Sequence, residues 1–458
     1  MKLKLKFINR ASVMSFLFII LQQLIVAFST ISIVNLGRRV SLGSGYLLWL
    51  ALFILSLIIV YIPTILTNYC LNAAKYETYN QLISSFGEQN YNSPDLNCSV
   101  KFKSQRQPYF THEAWLIIQE NYDFFADISS MGLSICLNVL VISFYLSRAF
   151  LASYAVAFPL TFICISLGKK TLRKRSEQAQ SGRSAMMQTL DIGWDSILVG
   201  NRWNYEIWKK IFREKLLISS KLQRSATLMI DATSLAIMAV SSMPIVAALI
   251  YAFNQSGDPQ NLSALVATLP RQIMTIQYLG QTINLLVQLS DKMHRTRQLA
   301  ANLCFDKDSM IIDEYEGRIS WGKIKIRKGD DALFPRALSD IDAFTNNYSS
   351  GRYTLSGENG SGKTTLMTRM KSILGDRAFL LPTHSKIIFE NENKEFSTGE
   401  KLVSNLQEIN LNLDKMGIGI LLLDEWNANL DKNNIKMINE MIEGLQKQIC
   451  IIEILHKN

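Results

Sequence analysis

Hydrophobic and polar positions are spread very unevenly along this chain. Six long, nearly uncharged stretches occupy its first two-thirds, near 11–36, 44–67, 131–148, 151–168, 226–252 and 261–289. Each approaches the roughly 20 apolar residues that a helix needs to cross a bilayer, and the last is the most polar. The final third reads as a soluble domain. There Arg352–Leu355 is strand-like, Thr365–Leu374 reads as a helix, and the run from Ile418 to Leu423 has the continuous apolar character of a buried parallel strand. The pattern predicts two large units: an α-helical membrane domain over 1–305, and an α/β domain over 306–458. The first stretch is too long for the core of a cleaved signal peptide, and no small-residue cleavage site follows it.

Basic residues then orient the spans. Four cations lie in Met1–Arg10 before the first stretch, and a second cluster, Lys169–Arg175, follows the fourth. If the spans alternate, both clusters fall on one side, which the positive-inside tendency makes cytoplasmic. Arg38 and Arg39 are then external. Two polar insertions, about 70–130 and 169–225, lie in the cytoplasm, and the external loops at 147–152 and 253–261 are short. Within 194–222, Trp194, Ile197, Leu198, Trp203, Ile207, Trp208, Ile211 and Phe212 recur at helical spacing, as packing positions between long helices do.

The chemistry is concentrated at Gly357-Glu-Asn-Gly-Ser-Gly-Lys-Thr364. A strand, a Gly-rich loop and a helix in that order form the setting of a phosphate-binding loop. Glycines let backbone N–H groups turn toward phosphate oxygens, and the helix N-terminus adds its positive end. Gly357, Asn359, Gly360, Ser361, Gly362, Lys363, Thr364 and Thr365 are therefore candidate nucleotide contacts, with Lys363 as a point charge and the Thr364 hydroxyl as a Mg²⁺ ligand. Downstream, the apolar strand ends in Asp424 and Glu425. Asp424 is a candidate for Mg²⁺, and Glu425 for polarising the water that attacks a γ-phosphate.

The net charge of +10 over 458 residues could point to nucleic acid, but much of the excess flanks apolar segments and fits membrane orientation better. The six Cys are scattered without metal-type spacing, and four His leave little scope for a histidine metal centre.

Six spans followed by this loop resemble a half-size ATP-binding-cassette exporter over nearly the whole chain. The resemblance implies six transmembrane helices in the type I/IV exporter arrangement joined to an α/β P-loop ATPase domain. Phe396-Ser397-Thr398-Gly399-Glu400 stands where the family carries its Leu-Ser-Gly-Gly-Gln signature, so Ser397, Gly399 and Glu400 are implied to contact the γ-phosphate held by the opposite subunit. Asp431 matches the loop that crosses the dimer interface, and His456 the switch histidine that ends the final strand. Trp426, directly after Glu425, is similar to forms found in cyclic-peptide and siderophore-peptide exporters. The interval from Lys363 to Ser397 is much shorter than the family's, which implies a reduced helical subdomain, and Thr383 occupies the place of the usual Gln. Phe334, beside Trp321, is a weak match to the adenine-stacking aromatic.

These observations lead to an expectation: ATP- and Mg²⁺-dependent export of a peptide or other amphipathic substrate. Transport would follow alternating access in a homodimer of the bacterial inner membrane, with the ATPase domain in the cytoplasm. Arg271, Gln272, Gln277, Gln281, Asn284 and Gln288 in the sixth stretch, and Asp231 in the fifth, either line a polar cavity or make interhelical hydrogen bonds. Two other readings are a membrane-bound ATP-binding regulator and a peptide-immunity protein with little coupled transport.

Overall fold

The computed structural model describes residues 7–94, 96, 103, 106–255, 258–303, 317–346, 349–382, 387–390, 398–428 and 430–455. The chain divides into two compact units, one of Leu3–Leu82 with Glu113–Ala300, the other of Ile83–His112 with Ala301–Asn458.

The helical unit is built from α1 (Arg10–Leu42), α2 (Tyr46–Ile59), α3 (Tyr61–Asn90), α4 (Ala114–Tyr145), α5 (Ala149–Asp191), the short α6 (Gly193–Leu198), α7 (Arg202–Gln255) and α8 (Pro259–Leu303), with the end of α3 from Ile83 and the last residues of α8 from Ala301 assigned to the other unit. Helix α1 starts at a reciprocal cap: Asn9 Oδ1 accepts from the Ser12 N–H at 2.7 Å, and Ser12 Oγ accepts from the Asn9 N–H at 3.0 Å. It stops at Gly43, whose left-handed φ of 70° suits a residue without a Cβ. Its two faces are inverted relative to a helix in water. Ser12, Ser15, Gln23, Ser29, Thr30 and Ser32 are buried, whereas Leu17, Leu21, Leu24 and Phe28 are exposed. Small and polar residues inside with large apolar residues outside is the arrangement expected when the solvent is lipid. Close approach follows: a Cβ on Gly37 would stand 2.8 Å from the Ala264 Cα of α8. Interhelical bonds join the buried polar groups, with Thr30 donating to Asn138 at 2.7 Å and Gln23 to Ser130 at 2.9 Å.

Four helical stretches among the described residues are long and apolar enough to cross a membrane: Arg10–Leu42, Tyr46–Asn90, Arg106–Tyr145 and Arg202–Gln255. They overlap four of the six stretches expected from sequence, 11–36, 44–67, 131–148 and 226–252. The fourth expected stretch corresponds to a shorter apolar segment, Ala149–Cys164. The sixth lies in α8, where Arg271, Gln272, Gln277 and Gln281 dilute the apolar character.

Helices α5 and α7 form a long antiparallel hairpin closed by α6. Trp208 fixes its end: its indole N–H donates to the Thr189 carbonyl at 2.8 Å, its ring stacks on Phe212 at 5.3 Å, and Gly193 leaves room for it, since a Cβ there would meet the ring at 3.0 Å. The packing role expected for the whole apolar series over 194–222 holds only for Trp208 and Phe212. Trp194 and Trp203 are 73% and 78% exposed on the single chain, and Ile197, Leu198, Ile207 and Ile211 are exposed as well. Helical spacing defines a stripe; it does not determine what the stripe faces.

The second unit carries a six-stranded sheet of β1 (Ile324–Lys328), β2 (Asp331–Leu333), β3 (Gly351–Gly357), β4 (Ala378–Leu381), β5 (Ile420–Asp424) and β6 (Cys450–Ile454), in the order β2-β1-β3-β6-β5-β4. Strands β3, β6, β5 and β4 are parallel, and β1 and β2 add an antiparallel edge. Helices α9 (Leu338–Asn346), α10 (Lys363–Leu374), α11 (Thr398–Met416) and α12 (Lys432–Leu445) accompany the sheet. Two buried apolar clusters account for the layering. Leu366, Met367 and Met370 of α10 pack with Leu355, Leu422 and Ile452 on one face. Leu406 and Ile409 of α11 and Ile438 and Ile442 of α12 pack with Leu421, Leu423 and Ile451 on the other. Alternate residues of β5 and β6 thus enter opposite layers, and their apolar runs, interrupted in β6 by Glu453, are what a strand buried on both faces requires.

Candidate functional site

Because β3 and β5 run parallel with β6 between them, their C-terminal ends open on the same edge of the sheet. Such an edge, outside the carboxyl ends of parallel strands, is where open α/β sheets place their ligands. Strand β3 delivers Gly357 to it, and the loop Glu358–Gly362 turns into α10. Gly360 and Gly362 take left-handed φ values of 79° and 89°. Gly362 has a second constraint, because a Cβ would lie 2.5 Å from the Arg318 carbonyl oxygen.

Lys363 opens α10, and its ammonium donates to the carbonyls of Gly357 and Glu358, both at 3.0 Å, so it lies across the loop. Thr364 follows, with its hydroxyl donating to Asp424 Oδ1 at 3.1 Å. That bond brings together two residues 60 positions apart. Asp424 is only 7% exposed, and Glu425 beside it is half-buried. The Ser361 hydroxyl is buried with no hydrogen-bond partner among the described residues. At the rim, Asn359 and Gly360 are exposed, and Lys323 pairs with Glu358 at 2.9 Å. The hydrogen bond from Lys323 holds the Glu358 carboxyl below the ordinary carboxylate range, and the same bond raises Lys323.

The first N–H groups of α10 have no intrahelical acceptor. Together with the Lys363 ammonium and the Ser361 and Thr364 hydroxyls, they form a set of donors suited to a phosphate chain. The Thr364 hydroxyl next to the Asp424 carboxylate is the oxygen pair that a Mg²⁺ ion would accept. The donor set therefore fits a magnesium nucleotide.

Glu425 has a φ of 44°, and among the described residues only Asn92 shares a positive φ without being glycine. A left-handed conformation costs a non-glycine residue about 1–2 kcal/mol, so something must hold it. The Ala428 N–H donates to the Glu425 carbonyl at 3.0 Å, closing a turn. Trp426 is buried, and its indole N–H donates to Glu453 Oε2 at 2.9 Å. Glu453, in the middle of β6 and 1% exposed, also receives Arg352 of β3 through Nε at 2.6 Å and Nη2 at 2.8 Å. Arg352 Nη2 donates further to Asn439 of α12 at 2.9 Å. The sequence reading missed this network. Its signal was a lone glutamate in an apolar strand, Ile451-Ile-Glu-Ile, which is expensive to bury without a fixed partner.

The other expected residues are placed as follows. Thr365 lies in the first turn of α10 and is half-buried. Gly399 and Glu400 open α11; Gly399 is buried against the Asn434 amide of α12 and Leu430 just before that helix, and Glu400 is exposed. Asp431 is the exposed residue preceding α12. Ser397, His456 and Thr383 lie outside the described residues, as does the side chain of Asn284. Phe334 is half exposed at the sheet edge with the Lys325 ammonium 5.2 Å from its ring centre, whereas Trp321 packs on the core. In the helical unit, Arg271 donates to Ser29 Oγ, and Gln277 and Gln281 are exposed on α8.

Fold and site define a protein of two parts. One is a helical unit with stretches able to cross a membrane, the other a parallel-sheet unit with a Gly-rich strand–loop–helix and an acidic strand end at one edge. No protein-family model matches the sequence, and comparison with curated proteins finds no match.

Proposed function

We propose that the protein is an ATP-driven exporter that works as a homodimer, with a peptide as its substrate. The observation that carries this reading is the bond between Thr364 and Asp424, which joins the Gly-rich loop to the acidic strand end beside Glu425. In this account Lys363 and the loop N–H groups bind the phosphates, while Thr364 and Asp424 hold Mg²⁺. Glu425 accepts a hydrogen bond from the attacking water and orients it. Bound Mg²⁺ supplies charge neutralisation on the phosphate oxygens. Gly399, at the start of α11, belongs to the segment that faces the second copy's nucleotide; Ser397 and His456 complete the site.

The strand order supports the reading, since β6 stands between β3 and β5 and delivers the segment before His456 to the same edge. The inverted faces of α1 support a lipid-embedded unit, with the ATPase unit on the cytoplasmic side of a bacterial inner membrane. ATP drives the cycle because it binds the closed pair of ATPase units more tightly than the open one. The short interval between Lys363 and Ser397 favours one second reading, a membrane-bound ATP-binding regulator or peptide-immunity protein that turns over slowly.

Binding of a fluorescent ATP analogue to the purified protein, followed by peptide uptake into inverted vesicles, separates the two. Exporter function requires nucleotide binding lost in Lys363→Ala and ATP-dependent peptide uptake. Nucleotide binding without uptake would favour the regulator, and unchanged binding in Lys363→Ala would refute the loop assignment.

A further inference from the structure

A groove of about 730 Å³ lies between α5 and α7. Three cations line it, Arg175 from α5 and Lys221 and Arg224 from α7, with Ser220 and Leu217 on the side away from Leu228. Arg175 donates to Ser225 at 3.1 Å. Among the described residues none of the three pairs with a carboxylate, and the acidic residues nearest in sequence, Glu177, Glu214 and Asp231, do not line the groove. The wall changes character along α7, where Leu228, Met229 and Ala232 continue from the cations. From Arg224 to Ala232 is about 12 Å along the helix axis. This apolar wall runs into the long uncharged part of α7, so the groove lies at the level where the membrane-type stretch gives way to charged helix.

Basic residues beside a span are ordinarily topological determinants that point separately into water. These converge from two helices on one recess with an apolar floor. Like charges held together without a counter-ion repel, and an anion that sits among them relieves the repulsion. A soluble phosphate would use only the charged part. A ligand with an anionic head and a hydrocarbon tail uses both, and basic pockets between helices at a bilayer interface have that character.

We propose that this groove binds an anionic phospholipid, with its phosphate among Arg175, Lys221 and Arg224 and the start of an acyl chain along Leu228, Met229 and Ala232. The site is separate from the nucleotide site and does not depend on its assignment.

Native mass spectrometry of the full-length protein tests this, with detergent micelles offering equal amounts of phosphatidylglycerol and phosphatidylcholine. The wild type should retain phosphatidylglycerol at least tenfold over phosphatidylcholine. The double variant Lys221→Gln/Arg224→Gln should reduce that preference to near unity. Lys209→Gln/Arg213→Gln, which removes two equal charges farther along the same helix, should keep it. Millimolar glycerol phosphate should not displace the lipid. Equal retention by the wild type would overturn the proposal, as would a preference that survives Lys221→Gln/Arg224→Gln or is lost equally in the control pair. Displacement by glycerol phosphate would reassign the groove to a soluble phosphate and overturn the lipid assignment. Leu228→Ser gives a second check with all three cations kept, because it should weaken retention of long-chain phosphatidylglycerol and leave a dihexanoyl form unaffected; equal effects on both would count against the acyl contact.

Discussion

Replacing Arg352 with Met removes the two bonds that Glu453 receives at 2.6 and 2.8 Å and leaves Trp426 as its close donor. The remaining Thr354 hydroxyl, at 3.5 Å, is too long to compensate. Glu453 is almost fully buried, so it cannot turn to water for solvation. Breaking a buried ion pair from one side costs about 3–5 kcal/mol, whereas replacing both partners with apolar residues is often close to neutral. Arg352 is partly exposed, which places the expected cost at the low end, about 3 kcal/mol. That corresponds to faster amide exchange in β3 and β6 on the order of 100-fold wherever exchange follows local opening. Hydrogen–deuterium exchange of the full-length protein in lipid nanodiscs, read on peptides covering β3, β5 and β6, measures this. Arg352→Met/Glu453→Met should restore exchange to within about tenfold of the wild type, a residual cost near 1 kcal/mol. Acceleration below about fivefold in Arg352→Met, or a double variant as fast as the two single effects combined, would refute the coupled network.

Four further outcomes follow from the same geometry. Trp426→Phe deletes one bond to a charged acceptor and should cost about 1.5–3 kcal/mol, read as faster exchange at the end of β5; unchanged exchange there would separate Trp426 from the support of Glu425. Gly362→Ala combines about 1–2 kcal/mol of backbone strain with a collision at the Arg318 carbonyl, and nucleotide binding should weaken at least tenfold; wild-type affinity would contradict the tight loop. Thr364→Ala should raise the Mg²⁺ concentration needed for half-maximal nucleotide binding by about tenfold, and an unshifted requirement would exclude its hydroxyl as a ligand. Burial pushes the Cys450 thiol up to about 12. Its thiolate is then suppressed between the ordinary thiol pKa and that value and appears only as pH rises through it. Maleimide labelling of Cys450 at pH 8 should lag a free cysteine by about 10³-fold until denaturant opens β6; rapid labelling at Cys450 itself in the folded protein would contradict its burial.

The strand–loop–helix at Gly357–Leu374 was legible in the sequence because local signals specify it: apolar alternation, then glycines at the turn, then helical periodicity. The apolar strand ending in Asp424 was equally plain. Its pairing with Thr364 was legible only as an expectation, since it depends on how four parallel strands are ordered. The support behind Glu425 was not legible, because Arg352, Trp426 and Glu453 are far apart in sequence and meet only when β3, β5 and β6 align. The stripe from Trp194 to Phe212 shows the opposite limit: periodicity located the faces of α6 and α7, but only Trp208, with Gly193 opposite it, and Phe212 beside it turn inward. In α8, polar residues dilute the apolar pattern, and one of them, Arg271, reaches across to Ser29 of α1.

ATP hydrolysis by the purified, lipid-reconstituted protein, measured beside Glu425→Gln, tests the central proposal most directly. The account predicts Mg²⁺-dependent hydrolysis by the wild type, and a variant that still binds ATP but hydrolyses it at least 100-fold more slowly. A wild-type protein that neither binds nor hydrolyses ATP, or a Glu425→Gln variant with normal turnover, would contradict it.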